Sequence, residues 1–305
     1  MAEAPPFRSG FIAVVGKPNV GKSTILNSLV GAKISIISRK PETTRDKILG
    51  IRNIPNGQLV FIDTPGLHRP SLLLDRNMVK IAKESLFSAD LILAVVHAFG
   101  LQKEDRYVFS LLPSPENKKK APVFLLLNKV DCVEKQKLLP LIQKAASLYP
   151  FQEIIPISAL VGDNMSVLFE KIVEAMPLGP CYYPDQNLGD RDDSFTVKEL
   201  IREKILNLTY QEVPYCVAVQ MEEMAEREDG LLIIRAIIFV ERESQKAILI
   251  GRKGQMLREI GERARKELEK HFGKKIFLSL WVKVLKDWRQ NEQSLKRLGY
   301  MGEKG

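Results

Sequence analysis

The sequence predicts an α/β domain built on a mostly parallel sheet, followed by a smaller α+β domain. Three observations carry that expectation. From residue 11 to about 176, short unbroken apolar runs alternate with longer segments of helical period, the pattern of a sheet buried on both faces. The turn "GKPNVGKST", Gly16 to Thr24, lies between the first such run and a helical segment. Residues 177–196, "PLGPCYYPDQNLGDRDDSFT", hold three prolines, two glycines and a cluster of acids. That composition marks a linker over 179–195, between domains at 1–178 and 196–305.

Taken in order, "FIAVV" (11–15), "LVFIDT" (59–64), "LILAVV" (91–96), "VFLLLN" (123–128) and "EIIPIS" (153–158) read as buried strands. The segment "DKILGIRNIPNGQLVFIDT" is the exception, because "PNG" between two strand-like runs signals a hairpin and one antiparallel pair. Beyond the linker the pattern gives a helix at about 196–208, strands at about 214–224 and 231–241, and a short helix ending at "ILIG". A longer helix over 255–272 and a strand over 276–285 complete the chain. On the long helix Leu257, Ile260, Ala264, Leu268 and Phe272 share one face, which predicts a core stripe.

The 305 residues are 45% hydrophobic and 27% charged, which fits a soluble globular protein and excludes disordered and collagen-like classes. The start "MAEAPPFRSG" lacks a basic stretch followed by an apolar core, and no later apolar run approaches the roughly 18 residues of a membrane span. The expectation is a cytoplasmic protein. Cys132, Cys181 and Cys216 are scattered without a C-x-x-C pair or a nearby histidine, so neither a disulfide frame nor a zinc site is expected. The net charge of +9 is unevenly placed: residues 1–241 hold 29 basic and 29 acidic residues, residues 242–305 hold 17 and 8. A neutral front and a basic end predict a surface for nucleic acid or an anionic membrane at the C-terminus.

"GKPNVGKS" matches G-x-x-x-x-G-K-[ST] after a buried strand and at the opening of a helix, where backbone N–H groups and the helix dipole can converge on phosphates. The expected loop contacts are Gly16, Lys17, Pro18, Asn19, Val20, Gly21, Lys22, Ser23 and Thr24. Lys22 would reach the β- and γ-phosphates, and the Ser23 hydroxyl would bind Mg²⁺. "DTPG" ends the strand at 59–64, so Asp63 can hold the Mg²⁺ shell and the Gly66 N–H can meet the γ-phosphate, and Asp63, Thr64, Pro65 and Gly66 are all expected at the nucleotide.

"NKVD" and "SAL" end two further strands, at the sheet edge where open α/β proteins bind ligands. A carboxylate at Asp131 can accept from guanine N1–H and N2–H, a donor pair adenine lacks. Two charge-assisted bonds of about 1.5–3 kcal/mol each imply a guanine preference of about 10² to 10⁴. Asn128 would support loop and base, Lys129 would lie over the ring, and the Ala159 N–H, flanked by Ser158 and Leu160, would meet O6. Between these elements lies "PETTRD". Thr43 or Thr44 could complete the Mg²⁺ shell when the γ-phosphate is present; periodicity does not choose between them, and Thr44 is favoured. Lys22, Thr44 and Gly66 are thus the candidate catalytic residues.

With "GKPNVGKS", "TTRD", "DTPG", "NKVD" and "SAL" in this order, the front half resembles a translation-factor-related small GTPase. "ILIGRKGQMLREIG" resembles a KH domain, and "LWVKVLKDWRQNEQSLKRLGY" resembles the C-terminus of the bacterial Era family, a likeness that runs over roughly residues 8 to 300. The resemblance implies a Ras-like P-loop GTPase domain joined to a type II KH domain. It further implies binding of 16S ribosomal RNA near its 3′ end, action in maturation of the small ribosomal subunit and some peripheral association with the inner face of the membrane. A monomer is expected. In a KH domain the turn Gly251, Arg252, Lys253 and Gly254 would let an RNA backbone approach closely, with the two cations on phosphates. Arg258 and Lys283 are further candidates for electrostatic contact, and Ile248, Ile250 and Leu257 are candidates either for the groove or for the core.

The residue after the DxxG motif, a water-orienting glutamine in Ras-like enzymes, is Leu67 here, which implies slow intrinsic hydrolysis. Asn19 matches the position through which some relatives recruit K⁺. His97 stands where related GTPases often have aspartate, and neither it nor His68 is assigned a catalytic role. The reading is a GTP-hydrolysing switch that binds ribosomal RNA. The alternatives are an RNA-binding assembly protein that uses GTP as a structural ligand, and a GTPase of a membrane or tRNA-modification process.

Overall fold

The computed structural model describes residues 6–114, 116, 121–184, 189 and 192–301. Parts of the expected linker, at 185–188 and 190–191, and of the basic tail, at 302–305, lie outside the described residues. The chain divides into two compact units. One is built from the described residues of Met1–Ile37, Thr44–Pro70 and Met78–Asp190, the other from those of Ser38–Thr43, Ser71–Asn77 and Arg191–Gly305.

In the first unit the strands are β1 (Arg8–Gly16), β2 (Ile48–Ile54), β3 (Gly57–Asp63), β4 (Leu91–His97), β5 (Val123–Asn128) and β6 (Glu153–Ile157). They form one sheet in the order β2-β3-β1-β4-β5-β6. Every pair is parallel except β2 with β3, the hairpin anticipated at "PNG". The helices are α1 (Lys22–Val30), α2 (Leu73–Phe87), of which the part from Met78 onward belongs to this unit, α3 (Lys103–Ser110), α4 (Leu138–Ala146) and α5 (Met165–Ala175).

Alternation along β1 explains the layering. Ile12 and Val14 join a core with Ile25, Leu26 and Leu29 of α1 and Leu168 and Ile172 of α5. Ala13 and Val15 face the other way, into a core with Val79 and Ala82 of α2, Val108 and Phe109 of α3, and Leu141 and Ala145 of α4. Burial on both faces is why these strands read as unbroken apolar runs. The C-terminal ends of β1, β3, β5 and β6 then lie along one edge of the sheet, where the candidate motifs begin.

The second unit runs α6 (Asp193–Leu208), β7 (Ala218–Glu226), β8 (Leu232–Val240), α7 (Glu243–Ile250), α8 (Gln255–Phe272), β9 (Ile276–Val284) and α9 (Glu292–Arg297). Helix α6 begins three residues before the expected 196, because the Asp192 carboxylate accepts from the Phe195 N–H at 2.7 Å and caps it there. The strand anticipated at about 214 begins at Ala218, because Val213–Cys216 forms a short 3₁₀ turn. The sheet order is β7-β8-β9, antiparallel between the first two and parallel between the last two, with α7 and α8 as the crossover. Ile260, Ala264 and Leu268 of α8 are fully buried as expected, but Leu257 and Phe272 are only partly so. Trp288, after β9, is also fully buried, and its Nε1–H donates to the Cys216 carbonyl at 2.9 Å. Among the described residues no helix is long and apolar enough to cross a membrane.

Candidate GTP site and nucleic-acid groove

The loop between β1 and α1 curls back on itself. Gly21 has φ 100°, and a Cβ there would meet Asn128 Nδ2 at 2.3 Å, so only glycine fits. Lys22, the first residue of α1, lies folded over the loop, its buried Nζ donating to the carbonyls of Gly16 at 3.3 Å and Lys17 at 3.2 Å. Burial pushes its pKa down to about 8, against the raising effect of nearby Asp63. An ammonium held this way is under-solvated, and phosphate oxygens in the loop would relieve it. The Lys17 side chain points elsewhere: Nζ donates to Asp105 Oδ2 at 2.9 Å and Gln102 Oε1 at 2.7 Å, ahead of and within α3. Its backbone alone is available to a phosphate.

Ser23, Thr44 and Asp63 come together. Asp63 Oδ2 accepts from Ser23 Oγ at 2.7 Å, Thr44 Oγ1 at 3.2 Å and Ser35 Oγ at 2.7 Å, while the two hydroxyls of Ser23 and Thr44 are 3.0 Å apart. Thr43 instead donates to the Lys40 carbonyl at 2.7 Å, so of the two candidate threonines only Thr44 faces Asp63. Asp63 is wholly buried, its Oδ1 has no hydrogen-bond partner among the described residues, and burial pushes its pKa up despite Lys22 and the hydroxyls. A hard, all-oxygen donor set around an orphaned carboxylate oxygen fits Mg²⁺. Ser23, Thr44 and Asp63 would hold the ion, which would supply neutralisation of phosphate charge there. Sequence reasoning missed Ser35, which sits in no motif and reaches Asp63 only through the fold.

The rest of "DTPG" is structural scaffolding for this point. Thr64 is buried and donates to the Val14 carbonyl at 2.8 Å. The N–H of Leu67 donates to the Gly16 carbonyl at 3.0 Å, which brings Pro65 and Gly66 up to the phosphate loop. The Leu67 side chain is fully buried in the core with Ala13, Val15 and Val79, so no side chain at that position can orient a water. His68 Nδ1 lies 2.9 Å from the Gly66 carbonyl. Burial, with Lys129 and Lys17 nearby, lowers the His97 pKa to about 4, so His97 is a neutral structural side chain at physiological pH.

At the other end of the edge, Asn128 is a brace. Its Nδ2 donates to the Val20 carbonyl at 2.7 Å and its Oδ1 accepts from the Ala159 N–H at 3.1 Å, tying the phosphate loop to "SAL". The Ala159 N–H expected to meet guanine O6 is therefore already engaged and would have to be shared. Lys129 Nζ donates to the Asn19 carbonyl at 2.9 Å, which lays the aliphatic stem beside the loop. Asp131 is exposed, with Oδ1 accepting from Ser158 Oγ at 2.5 Å and Oδ2 from Cys132 Sγ at 3.1 Å. Those two bonds, Ser158 first, hold its pKa below the usual carboxylate value. An ionised carboxylate is thereby aimed outward, with exposed Leu160 at the same mouth.

In the second unit α7 ends at Gly251, whose φ of 71° and ψ of 178° suit only glycine; a Cβ would meet Met256 Cβ at 2.8 Å. Arg252 and Lys253 of the turn are exposed, and Gly254 caps the start of α8. Beside the turn a groove of about 420 Å³ runs between α8 and β9. Gly254, Leu257, Arg258 and Arg265 line one side, Phe277 and Leu280 the other. Leu257 thus leaves the expected core stripe for the groove. Of the two cations proposed from sequence, Arg258 lies in the groove, whereas Lys283 faces Glu222 at 3.7 Å and does not line it. Ile248 is half exposed and neither it nor Ile250 is among the lining residues.

The model of the family described as 50S ribosome-binding GTPase matches residues 11–129, and that of the KH domain matches residues 212–289. The GTPase Era of Geotalea daltonii is 48% identical over 295 residues, covering 96% of this chain and 98% of that protein. That of Lacticaseibacillus paracasei is 49% identical, covering 96% of each. This chain belongs to the Era family of GTPases. A solved structure of Era in complex with MgGDPNP and nucleotides 1506–1542 of 16S ribosomal RNA matches with a TM-score of 0.93 and 42% identity over 97% of this chain and all of that one. A variant of Aquifex aeolicus Era bound to GDP and AlF₄⁻ matches at 0.92, also with 42% identity. The Era-family fold is accordingly a Ras-like P-loop GTPase domain followed by a KH domain, and this Era-family member takes GTP, GDP and Mg²⁺ as its ligands and hydrolyses GTP.

Proposed function

We propose that this chain is a GTP-driven switch that binds the 3′ region of small-subunit ribosomal RNA and acts in maturation of the small ribosomal subunit. The observation that carries the reading is the pairing in one chain of an outward, ionised Asp131 beside a phosphate loop with a Gly251–Gly254 turn at the mouth of an apolar groove rimmed by Arg258 and Arg265. Era bound to both a GTP analogue and 16S nucleotides supports it at 42% identity.

In this reading the loop residues 16–24 hold the triphosphate, Lys22 and the Gly66 N–H meet the γ-phosphoryl, Thr44 closes over it, and water attacks in line. Positioning and charge stabilisation supply most of the catalysis, and with Leu67 turned into the core the intrinsic rate is slow. Asn19 recruits K⁺; equal turnover in Na⁺ and K⁺ would remove that part. Domains at 1–178 and 196–305 joined by 179–195, a monomeric state, a cytoplasmic location and peripheral contact with the inner membrane face complete the proposal. RNA pull-down with sequencing, comparing GTP-bound, GDP-bound and nucleotide-free protein, tests it directly. Enrichment of the 16S 3′ region that changes with nucleotide supports the reading, and its absence in all three states refutes it.

A further inference from the structure

Three hydroxyls meet one carboxylate oxygen at the Mg²⁺ site, and one of them comes from outside every motif. Asp63 Oδ2 accepts from Ser23, Thr44 and Ser35, the last at 2.7 Å, while Oδ1 has no partner among the described residues. Ser35 lies in the connection between α1 and β2 and is 1% exposed. Its backbone is held by a single side chain of α1. Asn27 Oδ1 accepts from the N–H groups of Ile34 and Ser35 at 2.9 Å each, and Asn27 Nδ2 donates to the Ser35 carbonyl at 2.7 Å. One amide thus closes on both backbone groups of Ser35, and the hydroxyl is left to reach Asp63.

The three hydroxyls are not equivalent. Ser23 lies in the first turn of α1 and Thr44 in the "TTRD" segment, and their oxygens, 3.0 Å apart, are the pair an ion would draw on. A hydroxyl that gives a lone pair to Mg²⁺ can keep its proton on a carboxylate, but its oxygen must follow the ion. Ser35, tied at its N–H and its carbonyl, stays where the protein puts it. That matters because the terminal torsion of an aspartate is broad and roughly two-fold, so its own rotamer preference does not aim the carboxylate. A buried, fixed donor on one oxygen settles which oxygen is left open. Here the open one is Oδ1.

We propose that Ser35 is a positioning residue for Mg²⁺: held by Asn27, it anchors Asp63 Oδ2 and so presets the carboxylate for the ion, without being a ligand itself. The proposal rests on the Mg²⁺ site described above. The test measures the affinity of the full chain for the GTP analogue GDPNP by calorimetry, once with excess Mg²⁺ and once with excess EDTA. The ratio of the two affinities is the coupling between ion and nucleotide. A residue that merely supports the fold would change both affinities alike and leave the ratio where it was.

Ser35→Ala should lower the ratio by about tenfold or more, the effect of one hydrogen bond to a charged group, with affinity in EDTA as in wild type. Ser35→Cys, which keeps a weak donor, should fall between the two. Asn27→Ala should lower the ratio as well, and the double variant should lose little more than Ser35→Ala alone, because both act through one hydroxyl. An unchanged ratio in Ser35→Ala overturns the proposal, as does an equal loss with Mg²⁺ and with EDTA. Fully additive losses from the two alanine variants overturn it too, since Asn27 would then act by another route. A preference for Mn²⁺ over Mg²⁺ that arises only in Ser35→Cys would make residue 35 a ligand and likewise overturn the positioning role. A wild-type chain whose GDPNP affinity ignores Mg²⁺ would instead remove the Mg²⁺ site, and the proposal with it.

Discussion

At the scale of single residues, the decisive group is Asp131, kept ionised by its bonds from Ser158 and Cys132 and directed away from the protein. Asp131→Asn replaces a charged acceptor with a neutral amide that presents a donor to one guanine N–H. GTP affinity should fall by about 10² or more, measured by calorimetry, with the far-ultraviolet spectrum unchanged. Lys22 gives a pH signature. Its pKa is lowered to about 8 in the folded protein from 10.5, so between those values the unfolded chain holds the extra proton. Its contribution to nucleotide-free stability is therefore least below pH 8 and rises as pH climbs toward 10.5. Nucleotide phosphates restore the charged form, so GDP binding at about pH 8.5 should take up protons at Lys22. Titrations in buffers of differing ionisation enthalpy measure this, and zero uptake would contradict it. Residues inside motifs were legible in the sequence because their spacing carries the chemistry. Ser35 and the Lys17–Asp105 pair were not, since each joins segments that only the folded sheet edge brings together.

At the scale of elements, the turn after α7 and the anchor after β9 are the exposed points of the second unit's design. Gly251→Ala forces a Cβ to within 2.8 Å of Met256 at a backbone geometry side chains avoid. RNA binding should weaken while GDP affinity, which depends on the other unit's residues, stays constant. Trp288→Ala opens a cavity in a fully buried site and strands the Cys216 carbonyl. It should cost about 3–5 kcal/mol, seen as a lowered midpoint in denaturant unfolding of the RNA-binding unit. The strands were legible because burial on both faces leaves an unbroken apolar run, and α8 because its apolar residues recur at helical spacing. Leu257 shows where periodicity stops informing. It keeps the spacing of Ile260 and Ala264, but at the end of the helix near the GxxG turn the same face meets an open groove rather than a core.

At the scale of the whole molecule, the excess of positive charge falls in residues 242–305, while the guanine and phosphate contacts lie in the neutral front. Replacing Arg252 and Lys253 by aspartate should weaken RNA binding across sequences and flatten its salt dependence by roughly 0.7 in slope for each single-strand phosphate lost. A fluorescence titration at several salt concentrations reads both, and unchanged affinity would remove the turn from the RNA site. All of this presupposes that the first unit selects guanine. The most direct measurement is calorimetric titration of the nucleotide-free chain with GTP and, separately, with ATP in the presence of Mg²⁺. GTP should bind tighter by about 10² to 10⁴. ATP binding as tight as GTP, or neither binding, would contradict the role of Asp131 and the phosphate loop together.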